Sequence, residues 1–170
     1  MRCKAGWQPI GNIAKRAFSR RARGRSVSLG FELDVPLPAV DVWSRIARLE
    51  EFVCLDPFHC RVTLMRPAPG VGVDMVIEHA VLGIHLLRFG RILRWREGEG
   101  YAFSDMSRRG RRHGFPHVFF VRLVPFGEDR CRLTIEVRGR WTLPLVPARL
   151  GMIWLRWVAN QHARILQKSL

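Results

Sequence analysis

The sequence predicts an α+β domain in which a curved antiparallel sheet is covered by one long C-terminal helix. Three observations carry this expectation. Residues 114–141 read as two long strands joined across Phe126-Gly127-Glu128-Asp129. Residues 145–170 read as a single amphipathic helix with no strand after it. Ahead of both, alternating segments bounded by Gly and Pro bring the sheet to six or seven strands. Strands of that length need a face to cover them, and the chain offers one long helix to do it. A sheet curved around a helix leaves a hollow between the two layers, where an apolar molecule fits.

The elements follow in order from local patterns. Leu29, Phe31, Leu33 and Val35 alternate with Glu32 and Asp34, so the first strand has one buried face. Pro36 and Pro38 stop it. Val42, Trp43, Ile46 and Leu49 recur at helical spacing over residues 39–51, with Asp41 in the first turn, where a negative charge suits the helix dipole. A second short helix or turn is expected over residues 51–59. The strand over residues 60–66 ends at Pro67-Ala68-Pro69-Gly70. Strands over residues 73–81 and 84–96 flank Leu82-Gly83, which predicts a tight hairpin. Glu97-Gly98-Glu99-Gly100 forms the next turn and leads to a strand over residues 101–107.

The two long strands, over residues 115–125 and 130–141, show the clearest sidedness. Arg132, Thr134, Glu136, Arg138 and Arg140 alternate with Leu133, Ile135, Val137, Gly139 and Trp141, one face wet and one dry. The same parity turns Phe115, His117, Phe119, Val121 and Leu123 inward. On the last helix, Arg149, Arg156, Asn160, Arg164 and Gln167 form a narrow polar stripe. Leu150, Trp154, Leu155, Val158, His162, Ile165 and Leu166 lie opposite and are expected to face the sheet. Ile153 and Trp157 fall nearer the polar edge.

At 170 residues the chain suits one domain with a substantial core. It contains no run of about 18 apolar residues of the kind that spans a bilayer. The net charge of +15 is uneven, because residues 1–26 hold eight of the 29 Lys and Arg and no acid. These residues read as a basic leader ahead of a domain over 27–170. In the leader, Ile10, Ile13, Ala14, Ala17 and Phe18 share one side of a helix and Lys15, Arg16, Arg20 and Arg21 the other. Such a helix suits an anionic membrane or a polyanion, while the flanking Gly and Pro suit a disordered extension. The arginines of the leader lack interleaved aromatics, so no specific nucleic-acid binding is expected. Cys3, Cys54, Cys60 and Cys131 show no CxxC pair, and with no recognisable secretory signal they are expected to be reduced thiols of a cytoplasmic protein, peripheral at a membrane if the leader binds one.

The order of strand, two helices, six strands and long helix resembles the helix-grip superfamily. This superfamily, also called SRPBCC or START-like, includes lipid-transfer domains and the polyketide cyclase/dehydrase group. The local carriers are Pro38-Ala39-Val40-Asp41-Val42-Trp43, Asp56-Pro57-Phe58-His59 and Pro69-Gly70-Val71-Gly72. Gly114-Phe115-Pro116-His117 and Arg138-Gly139-Arg140-Trp141-Thr142 complete the set. The resemblance spans residues 28–169 and implies a hydrophobic cavity between sheet and long helix. It carries over no universal catalytic set.

The residues themselves suggest where chemistry would sit. His117 shares its inward face with Phe115 and Phe119, and an imidazole there serves as a general acid or base near neutral pH. The position equally suits a buried histidine hydrogen-bonded to backbone. His162, on the inner face of the last helix, carries the same two readings. Glu78 and His79 point to opposite faces by strict alternation, and neither they, nor His85, nor Cys54, His59 and Cys60 clearly supply converging ligands, so no metal and no cofactor is expected. Asp56 and Asp105 have no carboxylate partner nearby in sequence. No GxSxG elbow, Walker loop or GxGxxG follows a strand. Arg108, Arg109, Arg111 and Arg112 form a loop suited to clamping an anionic group at a pocket rim, or simply to solvation.

The expected function is therefore binding of a hydrophobic or amphipathic small molecule, lipid-like or polyketide-like. Phe115, His117, Phe119, Trp141, Trp154 and Val158 are expected to form its wall. The alternatives are a cyclase or dehydratase acting through His117 or His162, and a scaffold or stress-response module with a closed cavity. The first differs by having polar, titratable groups converge inside the cavity. The second differs by having no usable volume.

Overall fold

In the computed structural model, residues 24–81, 83–107, 115–143 and 146–170 are described. The strands are β1 (Arg25–Val35), β2 (His59–Leu64), β3 (Asp74–Val81), β4 (Ile84–Arg96), β5 (Gly100–Ser107), β6 (His117–Pro125) and β7 (Cys131–Trp141). The helices are α1 (Ala39–Ile46), α2 (Leu49–Val53) and α3 (Ala148–Ser169). All seven strands join one antiparallel sheet in the order β1-β7-β6-β5-β4-β3-β2. This is the α+β helix-grip architecture, with two short helices after the first strand and a long helix at the end.

Pairing decides where the sheet begins. Arg25 and Ser26 pair with Trp141 and Arg140, so the sheet begins inside the segment read as leader. Residues 1–23 lie outside the described residues. In the 81–84 hairpin Val81 pairs with Ile84, and Gly83 takes φ +78°, a backbone region that a β-carbon disfavours. Leu82 itself lies outside the described residues. Register shifts at His59/Arg61 and Ile92/Arg94 add local twist, which helps a long sheet bend around a helix.

Besides a small cluster of Ala102, Val118 and Phe120, the core has two parts, both involving helices. The larger packs α1 and α2 against the sheet through Val42, Ile46, Leu49 and Phe52, meeting Ile77, Ile92, Phe103, Leu133 and Leu166. There Trp43 donates its indole N–H to Glu97 Oε1 at 2.7 Å. Arg45 of α1 donates to the carbonyls of Ser169 and Leu170 at 3.0 and 3.1 Å, satisfying the end of α3. The smaller part joins Val27, Trp141 and Leu155, with Leu29, Phe115, Ala148 and Met152 packed on it. Helix α3 runs from the smaller cluster to the larger, and its middle is left to face the space between them.

The buried stripe of α3 is Gly151, Leu155, Val158, His162 and Leu166. Leu150 and Trp154, expected on this face, are 58% and 37% exposed. The cause is Gly151. A β-carbon there would fall 2.6 Å from the Trp141 ring, so the helix makes its closest approach at a residue with no side chain. The contact line rotates toward Gly151, and Leu150 and Trp154 are carried outward. Ile153 and Trp157 are exposed, as their edge positions suggested. Cys54, Cys60 and Cys131 are free thiols. No helix among the described residues is long and apolar enough to cross a membrane.

Candidate functional site

Between the sheet and the middle of α3 lies a cavity of about 270 Å³. Its wall is largely apolar, formed by Leu29, Phe31, Phe115, Phe119, Ile135, Val137, Leu155 and Val158, with Phe58, Trp141 and Trp154 beside them. All six residues expected to line a pocket, Phe115, His117, Phe119, Trp141, Trp154 and Val158, are on this wall. Trp154 differs from the rest in being partly exposed, with its ring 4.7 Å from that of Phe58. The loop carrying Arg108, Arg109, Arg111 and Arg112 lies outside the described residues.

Trp141 is held by two local features. Its indole N–H donates to the Val146 carbonyl at 2.8 Å, and Gly151 leaves room for the ring. Phe115 lies flat beside His117, ring centroids 4.8 Å apart, because Gly139 has no side chain to displace it.

One side of the cavity is polar, and this feature was only partly visible in the sequence. His59 and His79 are direct partners across β2 and β3, with ring centroids 4.5 Å apart. Asp105 and His117 are direct partners across β5 and β6. Strand β4 runs between these pairs. The residue of β4 opposite Asp105 is Gly90, and Arg88, two positions away on the same face, reaches back to Asp105. Its Nε donates to Asp105 Oδ1, and its Nη2 donates to the carbonyls of Asp105 and Phe115 at 3.1 and 3.0 Å. The other carboxylate oxygen, Oδ2, lies 2.9 Å from His79 Nε2, 3.5 Å from His117 Nε2 and 3.9 Å from His59 Nε2.

A second carboxylate stands behind the first. Asp56 Oδ1 is 3.6 Å from His59 Nδ1, and Asp56 Oδ2 is 3.6 Å from His162 Nδ1. Asp56 is held in place as its Oδ1 accepts the Phe58 N–H at 2.9 Å, the local turn of the Asp56-Pro57-Phe58-His59 word. Four imidazoles and two carboxylates therefore meet at one edge of an apolar cavity.

Their charge states follow from burial and neighbours. Burial alone would raise the pKa of Asp105, but His117, His59, His79 and Arg88 outweigh it and hold the carboxyl well below the usual range. Burial drives His117 down to about 4 against the pull of Asp105, so the ring is neutral at neutral pH. His162 is likewise driven to about 4 by burial, against Asp56. For His59 burial also disfavours the charged ring, yet Asp56 and Asp105 together shift it upward.

Nothing in the sequence brings His59, His79, Asp105 and Asp56 together. Glu78 and His79 lie on opposite faces, as alternation requires, and Glu78 pairs outward with His85 at 2.7 Å. His59 turns inward while Cys60 turns out, which separates that adjacent pair. The missing information was long-range register, since Asp105 meets residues far away in the chain.

No protein-family model matches the chain, and no curated protein sequence does. Solved structures do match in three dimensions. The aromatase/cyclase Zhui from Streptomyces sp. R1128 is similar with a TM-score of 0.64 at 12% identity, over 83% of this chain and 88% of that one. The fold is the START-like helix grip. A START superfamily protein from Mycobacterium smegmatis is similar at a TM-score of 0.58 and 14% identity, over 83% and 92% of the two chains. Norcoclaurine synthase from Thalictrum flavum reaches 0.56 at 15% identity, over 86% and 97%. At these identities the START-like likeness describes the backbone, and function has to be argued from the side chains.

Proposed function

We propose that this START-like domain binds a hydrophobic or amphipathic small molecule between its sheet and α3, with the polar end of that molecule at the His59, His79, His117 and Asp105 edge. The observation that carries the reading is a cavity of about 270 Å³ with an apolar wall and one polar side. Small-molecule sites run from roughly 300 Å³ upward, and a cavity of roughly 150 Å³ holds benzene. By that comparison the space suits a compact ligand, on the order of ten to twelve non-hydrogen atoms. Removing about 300 Å² of apolar ligand surface from water contributes roughly 7 kcal/mol before the costs of association.

A second reading, a cyclase or dehydratase acting on a polyketide-like ligand, is favoured by the convergence of titratable groups inside the cavity. Native mass spectrometry of the purified protein tests both. Ala159 of α3 also lines the cavity, and a co-purified apolar or amphipathic molecule that is lost in an Ala159→Trp variant supports binding. Loss of one water from a bound ligand during incubation supports the dehydratase reading. A protein that carries no ligand and takes up no environment-sensitive apolar dye refutes both and leaves the scaffold role.

A further inference from the structure

The polar edge of the cavity contains a contradiction in hydrogen bonding. His59 Nε2, His79 Nε2 and Asp105 Oδ2 are all buried from solvent, and none has a hydrogen-bond partner. His79 Nε2 lies 2.9 Å from Asp105 Oδ2, yet neither atom has a partner in hydrogen-bonding geometry. Buried polar side-chain atoms are ordinarily paired. Three orphaned atoms at one point need an explanation.

We propose that His59, His79 and Asp105 bind a divalent first-row metal ion of the zinc class, with His117 as the fourth protein ligand facing the cavity. One donor atom from each of the first three lies within 4.8 Å of the others. Ligands placed tetrahedrally around zinc at about 2.1 Å stand about 3.4 Å from one another. The separations from Asp105 Oδ2 to the three imidazole Nε2 atoms, 2.9, 3.5 and 3.9 Å, bracket that value. The donor atoms of His59, His79 and Asp105, within 4.8 Å of one another, close to that separation by side-chain rotation, and His117, which stands outside that group, moves furthest.

The protonation pattern is that of metal ligands. His59 Nδ1–H donates to the Val53 carbonyl at 3.1 Å and His117 Nδ1–H to the Phe115 carbonyl at 2.8 Å. Carbonyl oxygens only accept, so in a neutral ring each Nε2 carries a lone pair, and these nitrogens lie 3.9 and 3.5 Å from Asp105 Oδ2. Facing lone pairs repel unless a cation or a proton lies between them. Outer-sphere carbonyls that hold ligating histidines in this tautomer are a regular feature of metal sites. Arg88 occupies Oδ1 of Asp105 and leaves Oδ2 as a single-oxygen ligand. Asp56, 3.6 Å from His59 Nδ1, offsets the charge of Arg88. Imidazole and carboxylate donors suit zinc and also iron, nickel and copper, and disfavour calcium or magnesium. His117 lines the cavity, so a further coordination position there is within reach of an oxygen on a bound molecule.

The test uses the full-length chain stripped with chelator and titrated with Co²⁺ and Zn²⁺ alone. One ion per chain is expected, with the visible absorption of four- or five-coordinate cobalt, displaced by zinc. Asp105→Asn and His79→Gln should weaken binding at least tenfold, while His85→Ala, which removes an exposed histidine, leaves it unchanged. Should either variant fail to fold, zinc X-ray absorption of the unmodified protein decides, since a shell of nitrogen and oxygen with imidazole scattering is expected. Thiolate in that shell, binding equal in Asp105→Asn and His79→Gln to that of the unmodified chain, or no ion bound at micromolar metal would overturn the assignment. The readout needs no organic ligand, so its failure leaves the apolar cavity reading intact.

Discussion

Trp141 and Trp154 should differ sharply in what they contribute to stability, although both lie on the cavity wall. Trp141 is 6% exposed, is packed in a cluster with Val27 and Leu155, and lies against the bare backbone of Gly151. Truncating a buried aromatic to alanine costs about 3–5 kcal/mol, with the upper end expected where the surroundings cannot collapse. Here Gly151 offers no side chain to move into the space, and β1 and β7 are held by a continuous ladder from Arg25/Trp141 to Val35/Cys131. The lost bond to the Val146 carbonyl adds little, because Val146 is exposed enough for water to replace it. Trp154 is 37% exposed, and its one ring contact among the described residues is with Phe58. Its truncation should cost about 1 kcal/mol, on the scale of a single aromatic pair.

At roughly 2–4 °C per kcal/mol for a domain of this size, Trp141→Ala should lower Tm by about 10–15 °C and Trp154→Ala by about 3 °C. Urea unfolding followed by far-UV circular dichroism, with equal m values, is the appropriate assay. Equal losses for the two variants, or a loss under about 1 kcal/mol for Trp141→Ala, would show that α3 does not approach the sheet at Gly151.

Three further outcomes are expected. Gly151→Leu should destabilise by about 1–3 kcal/mol through overpacking, since even its β-carbon would meet the Trp141 ring at 2.6 Å; a neutral result in urea unfolding would contradict that contact. Removal of residues 1–23 should leave Tm within about 2 °C, because a basic, Gly-containing segment offers few apolar groups to offset ordering, whereas removal through Ser26 also strips the Arg25/Trp141 and Ser26/Arg140 pairs and should lower it measurably by differential scanning fluorimetry. Ala159→Trp should abolish uptake of an apolar fluorescent probe while leaving the circular dichroism spectrum unchanged, and undiminished uptake would place the binding surface elsewhere.

The elements were legible because each is coded locally. Period-two alternation in residues 131–141 and the Pro and Gly breakers around every strand require no knowledge of distant residues. The rotation of α3 was not legible, because an angular plot of apolar side chains gives glycine no weight, and Gly151 is the point of contact. The polar edge was half legible. Parity alone turns His117 inward, but Asp105 looked solitary in sequence and acquires its partners only through the β5–β6 and β2–β3 registers and the reach of Arg88 across β4.

The division of the cavity into apolar wall and polar edge also constrains how any occupant sits. Burial against Phe115, Phe119, Val158 and their neighbours is non-directional, so it sets affinity without fixing orientation. The polar edge has the opposite character. His117 lines the cavity and its ring is fixed from behind by the Phe115 carbonyl at 2.8 Å, so its other nitrogen stands at a set position. A ligand with an oxygen at one end is therefore oriented at little entropic cost, since the protein groups are already immobile. The prediction that follows is a split response. Substituting the wall, as in Val158→Ala, should weaken binding of every apolar ligand about equally. His117→Ala should weaken only ligands with a polar terminus, by about tenfold for a lost hydrogen bond or metal contact. Calorimetric titration with a matched pair, an alkyl-substituted aromatic and the same molecule bearing a terminal carboxylate or phenol, separates the two. If His117→Ala affects both members equally, the polar edge is a structural element of the core and does not read the ligand.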